Sequence, residues 1–282
     1  MKDTAHEATD RKIAELERRI IKLFSEAQRP LQEEIEAFFK RFEVEDNKKR
    51  EQVDAEEITR EQYIQWRLLR IARGVEFAEL KNSVAEKIAD TNQEVAEQIS
   101  ASMPEVYAIN YNQEREDAGA EVLAALTASA VILLNRPRLD RRKDTRWNKT
   151  QFSASVTSGI LQDKPLMGRN GICVESLNFT IKRNTETARV NARTWLTSAE
   201  TSGRQALYDA AERIGLPLEK TWYTQRDNRV RHAHAEMEGI TVPASEPFIV
   251  DGYEMKGPGD RSAPGRLWYN CRCRMKCRRK RG

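Results

Sequence analysis

Thiol and imidazole groups are concentrated at two places in this 282-residue chain. The stretch RHAHAEMEG holds His232 and His234, two of three histidines, and the ending NCRCRMKCRRKRG holds Cys271, Cys273 and Cys277, three of four cysteines. Thiolate sulfur and imidazole nitrogen are zinc ligands, and structural zinc takes four of them in a tetrahedral array. His234, Cys271 and Cys273 supply three, with His232 or Cys277 as the fourth, so zinc is the cofactor these residue types point to. A C-x-C pair is weaker evidence than two C-x-x-C knuckles. A second reading uses the same residues as a hydrogen-bonded core. In it Asp227 pairs with Arg231 or Arg272, a backbone carbonyl satisfies His234, and the cysteines pack as small buried hydrophobes. A disulfide between Cys271 and Cys273 is disfavoured by their closeness and by a reducing compartment. Cys173 stands alone in GRNGICVES and is expected to be buried.

The same histidines with an aspartate and a metal would suit a nuclease, one His acting as general base and an Arg steadying phosphate charge. No second acidic cluster, Ser/His triad or phosphate-cradling glycine loop accompanies them. The chain is therefore read as a non-enzyme with no catalytic residue, and the nuclease is the alternative. Contacts to nucleic acid have separate candidates. Arg274, Lys276, Arg278, Arg279, Lys280 and Arg281 crowd the ending, and Arg141, Arg142 and Lys143 lie in NRPRLDRRKDTRWNK. The chain's net charge is only +4, so these are local patches suited to polyanions.

The elements that must position these groups are legible in outline. Ile13, Leu16, Ile20 and Leu23, then Leu31, Ile35, Phe38, Phe39 and Phe42, recur at helical spacing and predict a helical pair broken at Pro30. Ile64, Leu68, Ile71 and Val75, then Phe77, Leu80, Val84 and Ile88, predict further helices, extended by Val95 and Ile99 as far as Pro104. AGAEVLAALTASAVILL reads as a buried core helix, too short for a membrane span. Beyond the basic stretch, TETARVNARTWLTSAETSGRQALYDAAERIG predicts a long helix stopped by Gly215 and Pro217. LEKTWYTQ alternates like a strand. DNRVRHAHAEMEG predicts a helix capped by Asp227 and ended by Gly239, while ITVP and EPFIVDGYEMK predict short strands.

The fold class expected is α+β: an extended all-helical N-terminal region (1–135), a small α+β C-terminal module (136–276) and a basic tail (277–282). One third of the residues are charged and the mean hydropathy is -0.74, as expected of much exposed helix. The start, MKDTAHEATDRK, has no apolar signal-peptide core, so a cytoplasmic protein is expected.

In the second half, Trp222, Thr224, Asp227, Val230, Arg231, His234, Met237 and Gly239 are followed by Phe248, then Pro258, Gly259 and Asp260, then Asn270, Cys271, Arg272 and Cys273. This order resembles the phage head morphogenesis family, the minor head or Mu F-like proteins. Ala192, Arg193 and Thr194 are similar to that family's Ala-Arg-Thr, although Trp195 stands where the family often has an acid. The resemblance covers about half the chain. It implies a minor capsid component in the head interior near the portal, assembled in the host cytoplasm. The partners it implies are the portal protein, the major capsid or scaffolding protein, and double-stranded DNA bound without sequence preference, with no membrane. It also implies that Trp222, Asp227, Arg231, His234, Gly239, Asp260, Asn270, Cys271, Arg272 and Cys273 form one structural motif. A DNA-binding companion ejected with the genome is the remaining alternative.

Overall fold

A computed structural model of the protein describes residues 3–118 and 139–279. The apolar ladder that begins at Ile13 forms one continuous helix, α1 (Thr4–Asp54), with Pro30 inside it. The expected break is absent. Proline lacks one N–H and crowds the preceding turn, but Phe24 before it and Leu31, Ile35, Phe38 and Phe39 after it are all buried. That burial outweighs the local cost. After the connector, Thr59 caps α2 (Arg60–Arg67) through a capping box with Gln62. A π-turn (Leu68–Ala72) leads to α3 (Val75–Ala118), which likewise runs through its expected stop at Pro104.

Asp140 accepts from the N–H groups of Arg142 and Lys143 and starts α4 (Arg141–Leu161). Next comes α5 (Ile172–Arg213), longer at its start than the sequence predicts. It stops where expected, at Gly215, whose φ of +75° is the left-handed conformation that ends helices. The boundary expected at residue 135 and the apolar stretch AGAEVLAALTASAVILL lie outside the described residues.

The rest of the chain is the small α+β module that the sequence predicts. Strand β1 (Leu218–Tyr223) is followed by a single helical turn, α6 (His232–Ala235), and by β2 (Thr241–Pro243), β3 (Phe248–Val250) and β4 (Tyr253–Met255). A second turn, α7 (Gly265–Trp268), precedes β5 (Arg274–Arg279). β1 lies between β2 and β5, antiparallel to both, and β3 pairs with β4 in a separate hairpin. The expected basic tail is thus a strand as far as Arg279. Its alternation buries Met275 and Cys277 against the core, and Leu218 to Tyr223 pair with it residue by residue. Lys280 and Arg281 lie outside the described residues.

Two compact units result, one from Met1–Arg18, Glu97–Pro137 and Arg189–Gly282, the other from Arg19–Ala96 and Arg138–Ala188. The core of the first joins Tyr107 and Tyr111 of α3 and Leu207 and Tyr208 of α5 to Trp222, Phe248, Met255 and Met275 of the module. In the second, Phe38 packs on Phe39, Phe42 and Phe77, and Phe77 stacks on Phe152 of α4. Among the described residues no helix is long and apolar enough to cross a membrane.

Candidate metal centre

The residues NCRC form the turn that leads into β5, and α6 presents His234 to it. His234, Cys271 and Cys273 are 1%, 1% and 4% exposed. His234 Nδ1 lies 3.6 Å from Cys271 Sγ and 3.5 Å from Cys273 Sγ, and the three donor atoms lie within 4.8 Å of one another. Ordinary zinc–sulfur and zinc–nitrogen bond lengths at tetrahedral angles place sulfur and nitrogen about 3.6 Å apart. The imidazole and both thiols therefore stand at the spacing of neighbouring ligands on one ion. His234 Nε2 is buried and has no hydrogen-bond partner among the described residues. The backbone carbonyl expected to satisfy His234 is not its partner; the sulfurs are.

The hydrogen bond from the Cys273 thiol holds Cys271 well below the usual thiol range, with His234 adding to the effect and burial opposing it. The same bond, reinforced by burial, pushes Cys273 up.

Neighbouring motif residues hold this turn from every side. Arg272 Nη1 and Nη2 each donate to an Asp227 carboxylate oxygen at 2.6 Å, which settles the pairing of Asp227 in favour of Arg272. Those bonds hold the Asp227 carboxyl well below the usual carboxylate range. Asp227 also accepts from the Arg229 N–H at 3.0 Å and so closes a turn. It does not cap the expected helix, because Arg231 is extended and α6 begins only at His232. Arg231 donates to the Tyr269 carbonyl. Gly239, at φ +77°, donates to the Trp222 carbonyl, and Trp222 stands edge-on to His234 with ring centroids 5.3 Å apart. Asp260 accepts from the N–H groups of Lys256 and Ser262 and closes the loop before α7.

Helix α5 supplies the opposite wall. Asn270 donates its N–H to Thr194 Oγ1 at 2.9 Å and accepts from Arg193 at 3.1 Å. Thr197 donates to the Cys271 carbonyl and Thr201 to the Pro258 carbonyl. The ring centroid of Trp195, which stands where the resembled family often has an acid, lies 4.0 Å from the guanidinium carbon of Arg261, and that of Trp268 lies 5.2 Å from the same carbon.

Not every expected ligand arrives. His232 is exposed and 3.3 Å from Glu236, so α6 sends its two histidines to opposite surroundings. Cys277 is buried in β5 opposite Lys220, and its N–H donates to Glu114. The expected nucleic-acid contacts on β5 are partly engaged: Arg274 lies 3.4 Å from Asp3, and Arg278 lies 3.2 Å from Glu219. Lys276 stands opposite Thr221. Arg141 pairs with Asp90 at 2.6 Å and Lys143 lies 3.7 Å from Asp140, and both Arg142 and Lys143 are exposed on the first turn of α4.

Sequence reasoning missed the buried network beside the module. Arg204, fully buried on α5, donates to Asp3, Glu114, Asn110 and the Met275 carbonyl and lies 3.2 Å from Glu200. Tyr208 and the Cys277 N–H both donate to Glu114, and His6 Nδ1 lies 3.0 Å from Glu200. Only the Glu200–Arg204 spacing of four is readable in the sequence, because the other partners come from distant parts of the chain.

Compared with known proteins, half of this chain (143 residues) is 25% identical to a part of the NAD(+)--arginine ADP-ribosyltransferase EFV of Enterococcus faecalis. That stretch is 29% of the transferase's own length, so the chain spans less than a third of it. No family model and no solved structure matches the chain.

Proposed function

We propose that this chain is a structural minor head protein of a phage particle, whose C-terminal module is closed by zinc on His234, Cys271 and Cys273. One observation carries the reading. The residues that resemble the head morphogenesis family meet in one hydrogen-bonded module, with the thiolate–imidazole triad buried at its centre. Zinc bound there would contribute folding free energy by tying α6 to the turn before β5. The described residues supply three of the four donors that a closed structural zinc site takes. Burial of all three donors argues against a catalytic role, which needs access for substrate. In this reading the protein sits in the head interior beside the portal, with the portal, major capsid or scaffolding protein and packaged DNA as partners.

The purified protein is expected to hold about one zinc per chain by elemental analysis, and His234→Ala or Cys271→Ser to hold none. Chelation is expected to lower the melting temperature of the wild type but not of the variants. A zinc-free protein that melts at the same temperature with and without chelator would end the metal part. Failure to co-sediment with portal protein in assembled heads would end the head-protein part.

A second reading rests on the similarity to EFV: transfer of ADP-ribose to arginine. It requires labelled NAD to be consumed and arginine side chains to be modified by this chain alone. No such product is expected, because the matched stretch is under a third of the named transferase.

A further inference from the structure

Helices α4 and α5 lie side by side at Asn148 and Asn184, whose buried side chains are hydrogen-bonded at 2.8 Å. Next to that bond, the Arg183 guanidinium carbon stands 5.4 Å from the Trp147 ring centroid and 5.5 Å from that of Phe179. A guanidinium in contact with two aromatic rings has already given up part of its rotamer freedom, so less remains to be lost when an oxyanion binds. Lys143 lies one helical turn before Trp147, Arg142 and Arg146 lie on the same helix, and Lys182 precedes Arg183. All of these cations are exposed.

Of the acids nearby on α4, Asp140 caps the helix and lies 3.7 Å from Lys143, while Asp144 accepts from Asn92 at 2.9 Å. Arg142 and Arg146 on α4 and Arg183 on α5 are exposed. Phe179 is 41% exposed, so part of its aromatic surface is accessible beside the cations.

We infer that this α4–α5 face binds single-stranded nucleic acid, with phosphates on Arg183 and the α4 cations and an unpaired base stacked on Phe179. An acidic peptide would use the cations and leave the ring idle. A duplex, whose bases are already stacked, would do the same. The inference rests on the nucleic-acid part of the reading above, keeps the contact expected on α4, extends it to α5 and does not use β5. It does not depend on zinc or portal association, which are measured separately.

The test is fluorescence anisotropy of a labelled oligothymidylate of about 20 nucleotides in about 50 mM salt, with full-length protein. Arg183→Ala is expected to weaken binding at least about tenfold and Arg183→Lys by less, because charge survives without the planar stack. Phe179→Ala is expected to weaken single-strand binding about 5- to 100-fold and to leave duplex binding unchanged. Arg278→Ala on β5 is expected to bind like the wild type. Inorganic phosphate and polyglutamate are expected to compete only weakly. Wild-type affinity in both Arg183→Ala and Phe179→Ala would overturn the inference. So would loss of affinity only in step with lost helical circular dichroism, or equal competition by polyglutamate.

Discussion

Arg204 and His6 hold buried ion pairs in the first unit. A fully buried guanidinium among Asp3, Glu114 and Glu200 repays its desolvation only if every donor is met, and removing it leaves carboxylates stranded. Burial pushes the His6 imidazole down, but the Glu200 charge, its hydrogen bond and Asp10 raise it above its ordinary value overall. Because the folded value is the higher one, the charged pair's stabilisation is fully present below the ordinary histidine pKa. It is lost as pH rises through the folded value. The stability gap between wild type and His6→Gln, measured by urea unfolding, is therefore expected to be wide at pH 5.5 and to narrow by pH 9. A gap that widens with pH would contradict the assignment of His6 as a charged partner of Glu200. The triad was legible at this scale because cysteine and histidine are rare and chemically distinctive. The Arg204 network was not, because arginine and glutamate are abundant here and their pairing is fixed only by the fold.

Elements obeyed burial more than local rules. The stops expected at Pro30 and Pro104 were reasonable by propensity, yet both helices continue because apolar residues on either side of each proline are buried. Pro104 is exposed, so its ring contributes little to packing. Pro104→Ala is expected to stabilise the protein by about 1–3 kcal/mol, the part of the proline penalty that tertiary context has not already absorbed. Glycine gives the opposite lesson. A Cβ at Gly203 of α5 would lie 2.4 Å from the Tyr107 carbonyl oxygen of α3, a contact that backbone cannot yield. Gly203→Ala is expected to cost at least about 1–3 kcal/mol by overpacking, read as a lower midpoint of denaturant unfolding. Nothing in ETSGRQ announces that approach. The strands were legible from alternation, but a strand ending in Arg278 and Arg279 was not, because its charge density looked like a tail.

For the molecule as a whole, the two units are assembled from interleaved stretches of sequence, and helices α1, α3 and α5 contribute residues to both. A boundary drawn from a change in composition cannot detect such interleaving, since composition varies along the chain and not in space. The low net charge likewise conceals how the charges are arranged in space. Many cations are matched locally, as Arg141 is by Asp90 and Arg278 by Glu219, so the exposed positive face on α4 and α5 stands out only after folding.

Strand β5 is the edge of its sheet, with β1 on one side only. Leu218 and Trp222 use their main-chain groups toward β2, so in the β1–β5 register the main-chain groups of Met275 and Cys277 point away from β1. Arg204 holds the Met275 carbonyl and Glu114 the Cys277 N–H. An open edge invites a strand from another molecule to continue the ladder. Here the Arg204–Glu114 ion pair occupies two of those outward-facing groups, the Met275 C=O and the Cys277 N–H. Along this edge, the buried charges that hold the unit shut also occupy groups that a strand from a second copy would need.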